Sequence, residues 1–200
     1  FGANAKEVGI VGDIVSHTIN AILNAETLGG WVALSSKQIF DVEYWELEQA
    51  KLGRTKSANE FEGRVVLVSG ASRGIGRACA QEFASRGALV DSFDVAEPEE
   101  DVHVRTIRHI QCDVTQSRSI ERALDETICE YGGLDVFVNN AGIFPASIEL
   151  EHMEQEVWDQ SLSVNLNAAV SLVKQVIPIL RNGWHPSIVI IGTKNVPAPG

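Results

Sequence analysis

The residues best placed to do chemistry lie in a glycine-rich segment, VVLVSGASRGIG at positions 65–76. Its apolar start predicts a strand buried on both faces of a parallel sheet, and the helix formers after it predict a helix. Such a turn presents backbone N–H groups and a positive helix end to a phosphate. Gly70 would allow the turn, Gly74 the approach of a pyrophosphate, and Gly76 close packing of the helix on the strand.

The spacing of these glycines, G-x-x-x-G-x-G, differs from the G-x-G-x-x-G of the general dinucleotide fingerprint. A flexible turn would explain the glycines alone equally well. A second feature favours nucleotide binding: Asp94 ends the next apolar stretch, 18 positions after Gly76. This is close to the roughly 20 positions at which an acid accepts hydrogen bonds from ribose hydroxyls. The two features together predict a dinucleotide site.

Two further motifs follow predicted strands, at the edge where ligands bind in sheets of this kind. Asp113 and Val114 follow the third strand. Asp113 has an alternative interpretation as part of a helix N-cap region before Thr115, and both interpretations can hold. The sequence NNAG at 139–142 ends the fourth strand, and its side-chain amides can tie neighbouring strands together.

The glycine motif and the NNAG motif resemble those of the short-chain dehydrogenase/reductase family, from Phe61 to the end of the chain. The resemblance implies two catalytic residues. Asn165 would hold a water in a proton relay, and Thr193, where the family usually has serine, would hydrogen-bond the substrate oxygen with less room because of its methyl group. It also implies that a nicotinamide cofactor is bound by Gly70, Ser72, Arg73, Gly74, Ile75, Gly76, Asp94, Asp113, Val114, Asn140, Ala141 and Gly142.

Charge decides which form of the cofactor we expect. Asp94 would accept hydrogen bonds from both ribose hydroxyls of NAD and would repel the 2′-phosphate of NADP. Arg73 favours the opposite choice, because the family often uses an arginine there for NADP. A carboxylate facing a phosphate places two negative groups in contact, which is the stronger effect. We therefore expect NAD rather than NADP.

The general acid/base of the family does not occur in these 200 residues. It is a tyrosine followed four positions later by a lysine, which lowers the pKa of the tyrosine. At that spacing Tyr44 and Tyr131 are followed by Glu48 and Asp135. Because the pair follows the Thr193 position in the family, we expect it beyond the last residue. The chain would then be a fragment of a longer protein.

Composition narrows the possible partners. The net charge of −11 argues against a nucleic-acid or anionic-membrane surface, and we expect no membrane span. We expect Cys79, Cys112 and Cys129 to be buried and reduced in a cytoplasmic protein. No Cys/His cluster has the spacing of metal ligands, so we expect no metal site.

Strands alternate with helices from residue 61, which predicts an α/β fold, a doubly wound parallel sheet of the Rossmann type that is truncated. Residues 1–60 predict a helical arm and linker with helices at 5–25 and 41–52. Residues 61–200 would be the first part of the NAD-binding domain. The segments 40–52 and 191–200 resemble bifunctional proteins in which a class II aldolase domain precedes a short-chain dehydrogenase, which implies an aldolase domain upstream.

The resulting prediction is an NAD-dependent oxidoreductase acting on a small polyol, hydroxyaldehyde or sugar phosphate. The resemblance implies that it forms homo-oligomers when complete. Two alternatives stay open: a non-catalytic NAD-binding or scaffold module, and a single-domain dehydrogenase without an aldolase domain.

Overall fold

Strands and helices alternate along the chain after an N-terminal helical arm. The computed structural model describes residues 5–43, 59–98, 107–146 and 148–192. In chain order the elements are α1 (Ala5–Thr27), α2 (Ser36–Glu43), β1 (Val65–Ser69), α3 (Gly74–Ser85), β2 (Leu89–Asp94), β3 (Ile107–Gln111), α4 (Ser117–Tyr131), β4 (Val136–Asn139), a 3₁₀ turn (Leu150–His152), α5 (Gln155–Leu162), a π turn (Ser163–Ala168), α6 (Ala169–Leu180) and β5 (Ser187–Ile190).

The five described strands are parallel and form one sheet in the order β3–β2–β1–β4–β5. β1 lies at the centre, where Val66 pairs with Val90 of β2 and with Val136 of β4. The strand order reverses beside β1, because β2 and β3 lie on one side of it and β4 and β5 on the other. This is the Rossmann-type α/β fold predicted from the sequence, and it opens a crevice at the carboxyl ends of β1 and β4.

Helices cover both faces of the sheet, which is why β1 is buried along its whole length and apolar up to Ser69. One face packs against α3 and the other against α4 and α6. The first cluster includes Val66, Val68, Val90, Ala80 and Ala84. The second includes Leu67, Phe93, Phe137, Ile120, Leu172 and Val176.

Asp135 joins the start of the central strands to a distant loop through a buried carboxylate. One carboxylate oxygen accepts a hydrogen bond from the N–H of Val65 at 2.8 Å, and the other accepts one from the N–H of Trp184 at 2.6 Å. Each buried oxygen therefore has a partner, which offsets the cost of removing the charge from water.

A second buried carboxylate, Asp91 in β2, binds Arg108 in β3. The guanidinium donates two hydrogen bonds to the two oxygens, at 2.9 and 2.8 Å, and the hydroxyl of Thr127 in α4 donates a third at 2.6 Å. The hydrogen bond to Asp91 raises the pKa of Arg108, and burial raises the pKa of the neighbouring Tyr131. The ring of Tyr131 lies 5.2 Å from the guanidinium carbon. This network joins β2, β3 and α4.

The second helix of the arm begins earlier than the sequence analysis predicted. α2 spans Ser36–Glu43, whereas the predicted helix was 41–52, of which 44–52 lie outside the described residues. A capping box sets the start. The N–H of Ser35 donates to Oε1 of Gln38 at 2.9 Å, and the N–H of Gln38 donates to the hydroxyl of Ser35 at 3.4 Å. The helix therefore begins at this S-x-x-Q capping box and not at the acidic residues further along, which the prediction places in its first turn.

Among the described residues, two helical segments are long and apolar enough to cross a membrane by length and composition alone, Val8–Thr27 and Gln155–Leu180. The second buries Leu172, Val176 and Leu180 against the sheet, as a core helix does. The first carries exposed apolar side chains along its length. The expected lack of a membrane span stays a prediction.

The three thiols are free, but the expectation that all are buried is wrong. Only Cys112 is buried, whereas Cys79 is half-buried and Cys129 is exposed. Cys129 follows Thr127, which faces the core, by two positions on α4 and therefore lies on the outer side of the helix.

Candidate functional site

A cleft of about 800 Å³ lies at the carboxyl edge of the sheet. It brings together residues from the ends of all four strands β1 to β4 and from α5. Ser72, Gly74 and Gly76 belong to the glycine-rich loop without lining the cleft, and Thr193 lies outside the described residues. The predicted residues that line it are Gly70, Arg73, Ile75, Asp94, Asp113, Val114, Asn140, Ala141 and Gly142.

Gly70 and Gly76 allow the close contacts that shape the glycine-rich loop. Gly70 has a φ of +66°, and a Cβ there would lie 2.8 Å from Cα of Ala141. A Cβ on Gly76 would overlap the carbonyl oxygen of Gly70 and the side-chain nitrogen of Asn140. Only glycine at these two positions lets α3 start directly beside the ends of β1 and β4.

The N-terminus of α3 has the properties of an anion site. The helix begins at Gly74, which has a φ of +58° and no atom within 4 Å of the position a Cβ would take. Arg73 is the N-cap residue, and no side-chain hydrogen bond caps the helix. The first-turn N–H groups and the positive end of the helix are therefore available to a phosphate that approaches over Gly74.

Asp94 joins the glycine-rich loop to the loop after β2. Its Oδ2 accepts a hydrogen bond from the N–H of Ser72 at 3.0 Å, and its Oδ1 accepts one from the N–H of Ala96 at 3.1 Å. The hydroxyl of Ser72 in turn donates to the carbonyl oxygen of Ala96 at 2.6 Å. A carboxylate has about four acceptor positions, so Asp94 retains capacity for two hydroxyl donors such as those of a ribose.

Asp113 lines the cleft and also holds the turn before α4. Its Oδ1 accepts hydrogen bonds from the N–H and the hydroxyl of Thr115, at 2.9 and 2.7 Å. The N-cap of α4 is Gln116, which makes no side-chain cap. Asp113 therefore shapes the approach to the helix without being its N-cap, and Val114 beside it is buried at the cleft wall.

Asn140 ties the end of β4 to the end of β1. Its side-chain nitrogen donates to the carbonyl oxygens of Ser69 and Gly70 at 3.1 and 2.8 Å. The N–H groups of Asn140 and Ala141 donate to the hydroxyl of Ser69 at 3.0 and 3.1 Å. Asn139 accepts a longer hydrogen bond from that hydroxyl at 3.5 Å. The NNAG motif thus fixes the floor of the cleft.

Asn165 lies in the π turn between α5 and α6 and holds the chain after β4. Its Oδ1 accepts a hydrogen bond from the N–H of Ile143 at 2.8 Å, and its Nδ2 donates to the carbonyl oxygen of Ile143 at 2.9 Å. A Cβ on Gly142 would lie 3.2 Å from the same Oδ1. π turns inside α-helices occur often at functional sites. The role of Asn165 in a proton relay stays a prediction.

Several cleft residues had no signal in the sequence. Five of them are neighbours in sequence of predicted residues, and the other four belong to α5 and its continuation, which reach the cleft only through the fold. Cys112 is one of the five, and burial raises the pKa of its thiol. The missed residues are Phe93, Val95, Cys112, Thr115, Ile143, Asp159, Gln160, Ser163 and Val164.

One group of possible metal ligands lies elsewhere, in the 3₁₀ turn and just before it. Glu149, Glu151 and His152 are exposed, and one ligand atom from each lies within 4.8 Å of the others. Exposed acidic groups commonly cluster in this way without an ion. The expectation of no metal site stays a prediction.

The cleft fits a dinucleotide by its chemistry. A helix N-terminus without a side-chain cap suits the pyrophosphate, an acid at the end of β2 suits a ribose, and Val114 and Ile75 provide apolar surface for a flat ring.

Two family models match the chain. Short chain dehydrogenase matches residues 64–199, and the second domain of aldolase class II matches residues 1–52. The first match covers more than half of the chain, which therefore belongs to the short-chain dehydrogenase family. The family binds a nicotinamide cofactor.

Two curated relatives illustrate the match. The 3-oxoacyl-[acyl-carrier-protein] reductase FabG of Escherichia coli K12 is 37% identical over 137 residues, which cover 66% of this chain and 56% of FabG. The uncharacterized oxidoreductase YuxG of Bacillus subtilis strain 168 is 30% identical over 200 residues, which cover 93% of this chain and 28% of YuxG. The chain spans little more than half of the first relative and less than a third of the second.

A solved structure has the same fold. The ligand-free aldohexose dehydrogenase AldT of Thermoplasma acidophilum superimposes with a TM-score of 0.61 at 35% identity, covering 72% of this chain and 57% of AldT.

Proposed function

We propose that the chain is the NAD-binding part of an oxidoreductase that acts on a hydroxyl or carbonyl group of a small polyol, hydroxyaldehyde or sugar phosphate. The observation that carries the preference for NAD over NADP is the position of Asp94. Its carboxylate lines the cleft at the end of β2 and is held on both oxygens by backbone N–H groups. A 2′-phosphate placed there would meet a fixed negative charge.

The residues around the cleft would divide the cofactor between them. The N-terminus of α3 would bind the pyrophosphate, and Asp94 would accept hydrogen bonds from the adenosine ribose. Asp113 and Val114 would border the adenine ring. The NNAG segment would border the second ribose.

The nicotinamide, when bound, supplies hydride transfer. Asn165 would support proton movement near the reacting group, and the hydroxyl of Thr193 would hydrogen-bond the substrate oxygen. The proton itself would be exchanged by the Tyr-x-x-x-Lys pair of the family, which these residues do not include.

The proposed substrate class draws support from two comparisons. The N-terminal residues match an aldolase class II domain, and a similar structure is an aldohexose dehydrogenase. Aldolases make or cleave hydroxyaldehydes and hydroxyketones, so an oxidoreductase in the same chain would act on related compounds. An upstream aldolase domain, a cytoplasmic location and assembly into homo-oligomers belong to this proposal.

Calorimetric titration of the chain with NAD and, separately, with NADP tests the cofactor preference. We expect Asp94→Ala to weaken NAD binding about tenfold or more, because it removes charge-assisted hydrogen bonds, and to narrow the gap between NAD and NADP. Glu97→Ala, which removes an exposed acid from the same loop, is the control and should bind NAD normally. Unchanged affinity in Asp94→Ala would remove that residue from the ribose site.

The catalytic part needs a protein that continues past Gly200. Reduction of NAD in the presence of polyols or aldoses would support the enzyme. Tight NAD binding with no Tyr-x-x-x-Lys pair and no turnover would favour a scaffold module instead.

A further inference from the structure

We propose that Ser72 sets how strictly this site excludes NADP, because it locks the carboxylate of Asp94 in place. The effect rests on the NAD preference proposed above. Ser72 does not line the cleft, so it would act as a positioning residue, through Asp94 rather than by touching the cofactor.

Three hydrogen bonds form a closed connection between two loops, which we call the Ser72 clip (Ser72, Asp94 and Ala96). The N–H of Ser72 donates to Oδ2 of Asp94, and the N–H of Ala96 donates to Oδ1. The third bond, from the Ser72 hydroxyl to the Ala96 carbonyl oxygen, is the shortest of the three at 2.6 Å. It connects the two backbone segments that supply the N–H groups, so both donors keep their place relative to the carboxylate.

Burial makes the clip more than a surface contact. Ser72 is 2% exposed, so water competes poorly for its hydroxyl, and the bond that this hydroxyl donates is stronger than it would be on the surface. Ser85 makes a similar bond to a backbone carbonyl, at 2.8 Å from Glu82, but it is exposed on α3 and away from the cleft. Ser85 is therefore a matched control for the loss of a hydroxyl.

The clip matters because a positive charge lies next to it. Arg73 is exposed and lines the same cleft, and a guanidinium pairs readily with a phosphate. A carboxylate free to rotate about its side-chain bonds could turn away from a 2′-phosphate and leave Arg73 to bind it. A carboxylate held on both oxygens has no such freedom. The outcome of the competition between Asp94 and Arg73 thus depends on how firmly Asp94 is held.

The test compares dissociation constants for NAD and NADP, measured by calorimetry on this chain. We expect Ser72→Ala to lower the ratio of the NADP constant to the NAD constant about five- to tenfold, the effect of one lost buried hydrogen bond. Ser85→Ala should leave the ratio unchanged. If Ser72 had a purely structural role, Ser72→Ala would weaken the binding of NAD and of NADP by the same factor and leave the ratio of their dissociation constants unchanged. That result would overturn the proposal.

A double-variant cycle separates this proposal from the proposed function. If Ser72 acts through Asp94, Ser72→Ala should not change the ratio further when Asp94→Ala is already present. If Asp94→Ala changes the ratio of the two dissociation constants but Ser72→Ala does not, the proposed role of Ser72 is wrong and the proposed preference for NAD stands. If Asp94→Ala leaves the ratio unchanged, both fail. If Ser72→Ala does not fold, Ala96→Pro is the second test, because it removes the N–H that donates to Oδ1 of Asp94 and alters an exposed residue. We expect Ala96→Pro to lower the ratio of the NADP constant to the NAD constant. An unchanged ratio would overturn the proposal that the Ser72 clip holds Asp94 in place.

Discussion

At the scale of single residues, the cleft is shaped by backbone atoms that approach closely where a side chain would prevent it. Gly70 and Gly76 lie against the NNAG segment, and Asn140 donates to the carbonyl oxygens of Ser69 and Gly70. These contacts place the N-terminus of α3 beside the strand ends without any charged side chain. The proposed phosphate site would therefore be formed by the backbone, and two glycines and one amide side chain hold that backbone in place.

Gly76→Ala should destabilise the chain by about 1–3 kcal/mol, because the new methyl group would overlap the Gly70 carbonyl and the Asn140 side chain. Urea unfolding measures the change. Gly133→Ala is the control, since a Cβ there meets no atom within 4 Å and its φ is not positive, and it should be neutral or slightly stabilising. Equal effects at the two positions would contradict the packing role of Gly76.

Burial raises the pKa of the Cys112 thiol and outweighs a hydrogen bond with Ser119 that lowers it. The folded chain then holds the thiol proton more tightly than the unfolded chain. This contribution to the free energy of unfolding is complete below the unfolded pKa, about 8.5, and is lost as the pH rises toward the folded value. Cys112→Ala should show a shallower loss of stability above about pH 8 than the parent, as measured by urea unfolding at several pH values. Cys129→Ala, which removes an exposed thiol, should keep the parent slope.

Single residues with a motif could be predicted, and those without one could not. Asp94 is identified by its distance from the glycines and lies in the cleft next to their loop. The bond from Ser72 to Ala96 depends on how two loops meet, which no local pattern encodes. Asp159 and Ser163 likewise reach the cleft only because α5 crosses its edge.

At the scale of elements, the ion pair between Asp91 and Arg108, together with Thr127, joins two strands and a helix. Losing the pair would affect the two charged side chains differently. Asp91 is fully buried, whereas the side chain of Arg108 is 31% exposed. Without Arg108 the carboxylate would stay buried with Thr127 as its remaining described partner. Without the Asp91 charge, the guanidinium could still reach water. Removing Arg108 should therefore lower the free energy of unfolding more than removing the charge of Asp91.

Arg108→Met should lower the free energy of unfolding by about 3–5 kcal/mol, since it leaves a buried charge unpaired. Asp91→Asn should cost less, about 1–2 kcal/mol, because the amide oxygen can still accept a hydrogen bond from Thr127. Denaturant unfolding with Arg118→Met, an exposed arginine of α4, gives the baseline, expected within about 0.5 kcal/mol. A larger loss in Asp91→Asn than in Arg108→Met would contradict the asymmetry.

Strands and helices could be predicted from the sequence where apolar runs are continuous. They were harder to predict where a capping interaction sets the first residue of a helix. The sequence predicts a strand at the start of 65–76 and another that ends at the NNAG motif, and β1 and β4 lie there, because burial on both faces demands unbroken apolar residues. It places α2 too late, because acidic residues from Asp41 onward masked the capping box at Ser35. The π turn between α5 and α6 has no simple sequence signal.

At the scale of the whole molecule, apolar surface is exposed along β5 at the edge of the described sheet. Ile188, Val189 and Ile190 are 39%, 43% and 63% exposed. A parallel edge strand with unpaired backbone groups and apolar side chains is a site for association with another chain.

The chain should therefore associate as its concentration rises, which sedimentation velocity measures. Ile190→Lys should increase the monomer fraction, because a charged side chain on an edge strand opposes pairing. Leu150→Lys adds the same charge at an exposed apolar residue outside the sheet and should have a smaller effect. Equal effects of the two lysines would point to net charge rather than to the edge strand.

The π turn at Ser163–Ala168 affects how this chain must be compared with others. One additional residue in a helical turn rotates the helix before it by about 100° relative to the helix after it. Asp159 and Gln160 of α5 line the cleft, whereas Leu172 and Val176 of α6 are buried in the core, so the π turn sets the angle between the cleft wall and the core-facing side of α6. An alignment with a regular helix would agree on one side of the turn and be out of phase on the other. Any gap therefore belongs inside 163–168, and the deletion of one residue at 166–168 would turn the cleft wall away without removing a residue that lines the cleft.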